Sequence, residues 1–316
     1  MDICIEAKPD NYINKYLLFC LFELFKIKLP KDYLKLISDI VKNSKIYIFE
    51  KNITIIEKEA FRNNRNLINV IIPSSVTIIQ REAFNYCLNL ISVIISTKYN
   101  DFPDRRSNSL TIIGCASFYN CESLININIP DSVTSIEDAS FRNCESLISI
   151  NIPDSVTSIG SFAFCRCINL NSVIISNSIT TIEKWTFDGC EKLNKIIIPD
   201  SVISIGGFAF CDCHQLTDIN IPNSVAVIER NAFSSCEKLE SIIIGNSVKV
   251  IGNYAFNYCK NLNNVIVPNS VTVIGKDVFE KCESLDNITI PIPISNIREI
   301  NIPKHTKIIK SKIRKN

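Results

Sequence analysis

Apolar residues recur along this chain at a fixed spacing. Aligning on a Phe preceded by a small residue gives Phe61, Phe84, Phe118, Phe141, Phe164, Phe187, Phe210, Phe233, Phe256 and Phe279. Successive positions differ by 23, except for the step of 34 that ends at Phe118. An Ile stands five residues before each Phe, from Ile56 to Ile274, and a Leu six residues after, from Leu67 to Leu285. Three residues after the Phe comes Cys in nine units, with Asn64 in the first. Self-similarity at a period of this size is the mark of a stacked repeat array, because one short unit cannot bury its own apolar side chains.

Within a unit the pattern is finer. Leu147, Ile150, Asn151 and Ile152 alternate up to Pro153, which predicts a half-buried strand ended by a Pro-Asp-Ser turn. A second short extended piece covers residues 156–159. The segment carrying the Phe is too short for a full helix and is predicted as one helical or 3₁₀ turn. Each unit is then one coil, and ten coils at strand spacing of about 4.8 Å would make a rod or arc of roughly 50 Å. The predicted fold is a β-solenoid whose Ile, Phe, Cys and Leu rungs form continuous buried ladders.

The motif Ile-x-x-x-Ala-Phe-x-x-Cys-x-x-Leu-x-x-Ile-x-Ile-Pro-x-x-Val resembles the BspA-type (Treponema-pallidum-type) leucine-rich repeat over residues 53–297. The resemblance implies a leucine-rich-repeat solenoid with a strand-lined concave face, used for protein interaction and, in some secreted members, for adhesion. It brings no catalytic residues. Those secreted members carry a signal or anchor that is not visible here.

Outside the array, residues 1–50 are expected to form an α-helical cap, with helices over 16–27 and from Pro30 through Tyr33, Leu34, Ile37, Ile40 and Val41. The same stretch weakly resembles the start of an F-box through Leu29, Pro30 and Ile37, so that docking to a ubiquitin-ligase scaffold is the alternative. The extra length before Phe118 (34 minus 23, or 11) falls in a polar insertion at 96–109. At the far end, residues 298–316 hold a capping strand at 300–303 and a basic tail from Lys304, expected to be solvated.

Since strand side chains alternate, the residue between two buried positions faces outward on the concave side. These are Ile71, Ile94, Asn128, Asn151, Ile174, Ile197, Asn220, Ile243, Ile266 and Thr289, the expected partner-binding row. The Ile pairs would form apolar patches on a solvent-facing sheet, a feature of interaction surfaces.

Composition narrows the chemistry. The 34 basic and 32 acidic residues balance to +2, giving no field that would draw nucleic acid or anionic lipid. Two His leave little material for a triad or a multi-His metal site, and 8 Gly leave little for phosphate loops. The pairs Cys165/Cys167 and Cys211/Cys213, with His214 adjacent, resemble half a zinc set. Yet Cys167 and Cys213 are explained as core rungs, and Cys165 and Cys211 stand two coils apart. No metal, cofactor or enzyme activity is expected. Residues 1–10 lack the pattern of a signal peptide, and residues 16–25 are too short to span a bilayer. The expected setting is cytoplasmic, with the cell surface as alternative. The 14 Cys are then reduced thiols.

Overall fold

The computed structural model describes residues 46–49, 53–96, 110–292, 294 and 299–311. The chain winds one coil per repeat unit, and successive coils stack through two ladders of parallel strands. A wide ladder runs from Ile46–Ile48, Asn69–Ile72 and Ser92–Ile95 to Asn287–Pro291 and Lys307–Ser311, and a narrow ladder of two-residue strands runs from Ile55–Ile56 to Val273–Ile274. All pairs are parallel and, up to the strand Asn287–Pro291, in repeat register, for example Ile219 with Ile242 and Ile136 with Ile159. The register also holds across the longer interval before Phe118, where Ser92 pairs with Asn126 and Ile78 with Ile112. The wide ladder is divided into three hydrogen-bonded sheets, and the coil of Phe187 joins its predecessor there by a single bridge from Ser172 to Lys195.

One continuous core fills the stack. The Phe rings lie parallel from Phe61 to Phe279, neighbouring centroids 5.1 to 5.8 Å apart and planes within 11°. At the first described coil Tyr47 and Phe49 meet Phe61 edge-on, at 4.8 and 5.4 Å.

The Phe segment corrects one expectation. Among the described residues no helix or 3₁₀ turn forms there; the segment is a run of linked turns. Residues two before and two after each core Phe take positive φ, as at Ala139 (53°) and Asn143 (59°). The cause lies in the backbone hydrogen bonds. In the coil of Phe141, the N–H groups of Ser140, Arg142 and Cys144 bond within the coil, to Glu137, Ala139 and Phe141. Those of Ala139, Phe141 and Asn143 instead donate to Ser161, Ala163 and Cys165 of the next coil, each at 2.8 Å. A helical turn would spend every N–H inside the coil and leave the carbonyls of the neighbour unpaired. Alternating the backbone between the two hands sends every second N–H onward.

A second alternation spans two coils. Four residues before the Phe stand Gly114, Gly160, Gly206 and Gly252, with Glu137, Glu183 and Glu229 in the coils between. The following residue's N–H needs a partner. Cys115 and Gly207 donate theirs to Glu137 and Glu229 of the next coil, at 2.8 and 3.0 Å. Ser161 instead donates back to Asp138 Oδ1 at 2.7 Å. Gly160 permits this approach, since a Cβ there would lie 2.4 Å from the Asp138 backbone nitrogen.

Both ends depart from the sequence-based boundaries. Residues 46–48, expected within a helical cap, pair with Asn69–Ile71 as the first rung of the wide ladder among the described residues. The rest of the expected cap, the F-box-like stretch at 29–41 and the insertion after Ser96 lie outside the described residues. At the far end residues 300–303 are not a strand. Glu299 and Ile300 accept from the Asp277 and Phe279 N–H groups, so this segment takes the place of the next Phe turn. The last strand is Lys307–Ser311, paired with Asn287–Pro291 so that Lys307 lies opposite Asn287, an offset shorter than the repeat period. Lys307 and Lys310, expected in a solvated tail, belong to that strand. No helix of the described residues is long and apolar enough to cross a membrane.

Candidate functional site

The outward face of the wide ladder is built by the alternation of the strands. In Ser241–Ile244, Ile242 and Ile244 point into the core while Ser241 and Ile243 point out. Ile174, Ile197, Ile243 and Ile266 are exposed to 62, 75, 66 and 69%. Leaving branched side chains this bare forgoes about 1.5–3 kcal/mol each of possible burial, which makes them the least explained apolar groups of the stack. Register brings them side by side: Ser172 is bridged to Lys195, setting Ile174 beside Ile197, and Ser241 pairs with Asn264, setting Ile243 beside Ile266. Asn220 separates the two pairs and lies opposite Ile243. Asn151 extends the exposed row beside Ile174, and half-buried Thr289 ends it beside Ile266.

The first members of the expected row differ. Ile71 is only 4% exposed and belongs with the buried residues, and Ile94 is half-buried. Asn128 has its side chain committed to the backbone. Its Nδ2 donates to the Ile95 carbonyl at 2.9 Å, and its Oδ1 accepts the Ile95 N–H at 2.8 Å. The side-chain amide thus continues the ladder where the strand Asn126–Ile127 stops. The exposed apolar row therefore begins at the coil of Phe164.

A polar row runs beside the Ile row. Asp218 accepts from Ser241 Oγ at 2.7 Å and Thr217 Oγ1 at 2.9 Å, and these bonds hold its carboxyl below the usual range. Asn287 Nδ2 donates to Asn264 Oδ1 at 2.9 Å.

The thiol rungs are structural. Each of the nine Cys is fully buried and donates its Sγ–H to the carbonyl of the Phe 26 positions earlier in sequence (or 37, across the insertion), at 3.0 to 3.3 Å. That carbonyl also accepts the N–H of the ladder residue of its own coil, Cys in every case but the first, where Asn64 donates to Phe61, so both lone pairs are used. Burial pushes the thiols up, Cys87 and Cys282 to about 12. His214 Nδ1 lies 3.0 Å from the Ser235 carbonyl.

Beyond the rungs, Asp188, Cys211 and Asp212 bring their side-chain donor atoms within 4.8 Å of one another on the turn edge. Sequence spacing set Cys165 and Cys211 apart and overlooked Asp188, which occupies the coil between them. On the same edge Phe162, Trp185 and Phe208 stack at 4.7 and 5.1 Å, with Arg142 over one end and Arg230 over the other.

Several proteins of known structure are similar to this chain. The pneumococcal vaccine antigen PcpA is 18% identical, with a TM-score of 0.51 over 85% of this chain and 84% of that one. The T. pallidum leucine-rich repeat protein TpLRR is 26% identical, with a TM-score of 0.46 over 66% of this chain and 82% of its own. A leucine rich cell surface protein of Faecalibacterium prausnitzii is 23% identical, with a TM-score of 0.48 over 86% and 89%. No curated relative matches the chain. The sequence profile described as BspA type leucine rich repeat region matches residues 9–105, 105–202 and 180–313, and the chain belongs to that family.

Proposed function

We propose that this protein is a non-catalytic scaffold that holds a protein partner on the outward face of the wide ladder, over the coils from Ile174 to Thr289. The observation behind it is the row of Ile174, Ile197, Ile243 and Ile266, left bare beside hydrogen-bonded Ser, Asn and Asp. An apolar strip with a polar border is what a protein interface presents, since burying it removes water from branched side chains while the border keeps its hydrogen bonds. Rigid parallel coils also keep the strip in one shape before contact, which lowers the ordering cost of binding.

The test is affinity capture from the native cell with the wild-type chain and with a variant carrying Ile197→Asp and Ile243→Asp. Both sites are exposed, so the variant keeps its circular dichroism and melting behaviour. The expected result is loss of the captured partner. Undiminished capture by the double variant removes this face from consideration.

A further inference from the structure

The turn edge carries a cluster that the packing of the stack does not require. Cys165, Asp188 and Cys211 each follow the core Phe of consecutive coils, and Asp212 follows Cys211. The donor atoms of Asp188, Cys211 and Asp212 lie within 4.8 Å of one another. Cys165 Sγ donates to Asp188 Oδ2 at 3.4 Å. The two thiols are buried, at 2 and 8% exposure, whereas both carboxylates are half-buried. The sulfurs therefore form a floor, and the carboxylates a rim that solvent reaches.

We propose that Asp188, Cys211 and Asp212 bind one thiophilic divalent cation of the zinc class, with Cys165 holding Asp188 in position. One thiolate and two carboxylates suit zinc or cadmium, whereas calcium and magnesium take oxygen alone. Three protein donors leave a fourth tetrahedral position for water. The hydrogen bond from Cys165 fixes one carboxylate oxygen of Asp188 and leaves the other for the ion, the usual part of a group behind the ligands.

Without an ion the cluster is electrostatically crowded. Burial first, then the neighbouring Asp212 and Asp188 carboxylates, push the Cys211 thiol up. Burial first, then Asp212, also raises Asp188, against the hydrogen bonds from Cys165 and Cys211 and the charge of Arg142. The charged or titratable neighbours include Cys165, Arg142 and Cys236, the buried rungs Cys190, Cys213 and Cys259, and Arg166 acting on Cys165. A divalent cation reverses the sign of this environment. On binding, Cys211 gives up its S–H proton to solvent and forms a sulfur–metal bond, and the two carboxylates bind as anions. One proton is released per ion, and nothing is oxidised or reduced.

The repeat itself supplies mild substitutions, since Ser234 and Asn257 occupy the equivalent position in later coils. The full-length chain, freed of metal under reducing conditions, is titrated with Cd²⁺ while its thiolate-to-metal absorbance is followed, and Zn²⁺ is added in competition. We expect saturation at one ion per chain, one proton released, and affinity falling about tenfold for each unit of lower pH. Cys211→Ser abolishes the band, and Asp188→Asn weakens binding about 10- to 100-fold. Cys165→Ser keeps the band at reduced affinity, and Cys144→Ala leaves both band and affinity unchanged. Absence of saturable binding at one equivalent overturns the proposal, as does a band that survives Cys211→Ser in a folded chain.

Discussion

Each ladder Cys is a small apolar residue that also donates one weak hydrogen bond, and this combination fits a rung where Ala would leave a carbonyl lone pair unmet and Ser would lose apolar contact. The position has an electrostatic consequence. Burial raises the thiols in the folded chain above their unfolded values, so the neutral form is favoured by folding. That stability is fully present below the unfolded thiol range, about 8.5, and is lost as pH rises from there toward the folded values. The unfolding free energy from urea titration should therefore fall steadily above about pH 8.5, by about 1.4 kcal/mol per pH unit for each thiol involved. Replacing Cys144 and Cys167 together by Ala should flatten the slope by two protons; an unchanged slope would assign the alkaline loss to other groups. Steric demand is as local at Gly160. Ala there places a Cβ against Asp138, and a loss of about 1–3 kcal/mol is expected in denaturant unfolding.

Among the elements, strands were readable because period-two alternation is printed in side chains. The turn was not, because its conformation follows from where backbone N–H groups go, and residues as different as Ala139, Phe162 and Trp185 all adopt positive φ there. No composition signal for such turns exists when Gly fills only one of the positions, Gly189. The outward row divides similarly. Ile174, Ile197, Ile243 and Ile266 were legible as exposed, but spacing alone gave Asn128 the same standing although its amide is bonded to Ile95. Asn128→Ala should cost about 1–3 kcal/mol, because the buried Ile95 N–H loses its acceptor. The same variant should leave partner capture intact, which distinguishes a strand-extending amide from a contact residue. Asp188 was missed for a related reason: a metal pattern sought along the sequence skips a donor one full coil away.

At the scale of the whole molecule, stability is a sum over coils and their interfaces, so length is adjustable in steps of the period. Excising residues 234–256, one full interval, should leave a folded chain with an unaltered circular dichroism shape and a lower melting temperature. Removing only half an interval from the same place should unfold the adjoining coils, because the rungs no longer meet their counterparts. The ends were least legible, since periodicity fades where the period shortens, as it does between Asn287 and its partner Lys307 in the final strand. The long interval before Phe118, by contrast, leaves pairing on both sides undisturbed. That junction is consequently a port in the stack. A foreign peptide spliced between Ser96 and Leu110 would be displayed without its hosts registering the added length, and epitope or enzyme modules could be carried there as cargo.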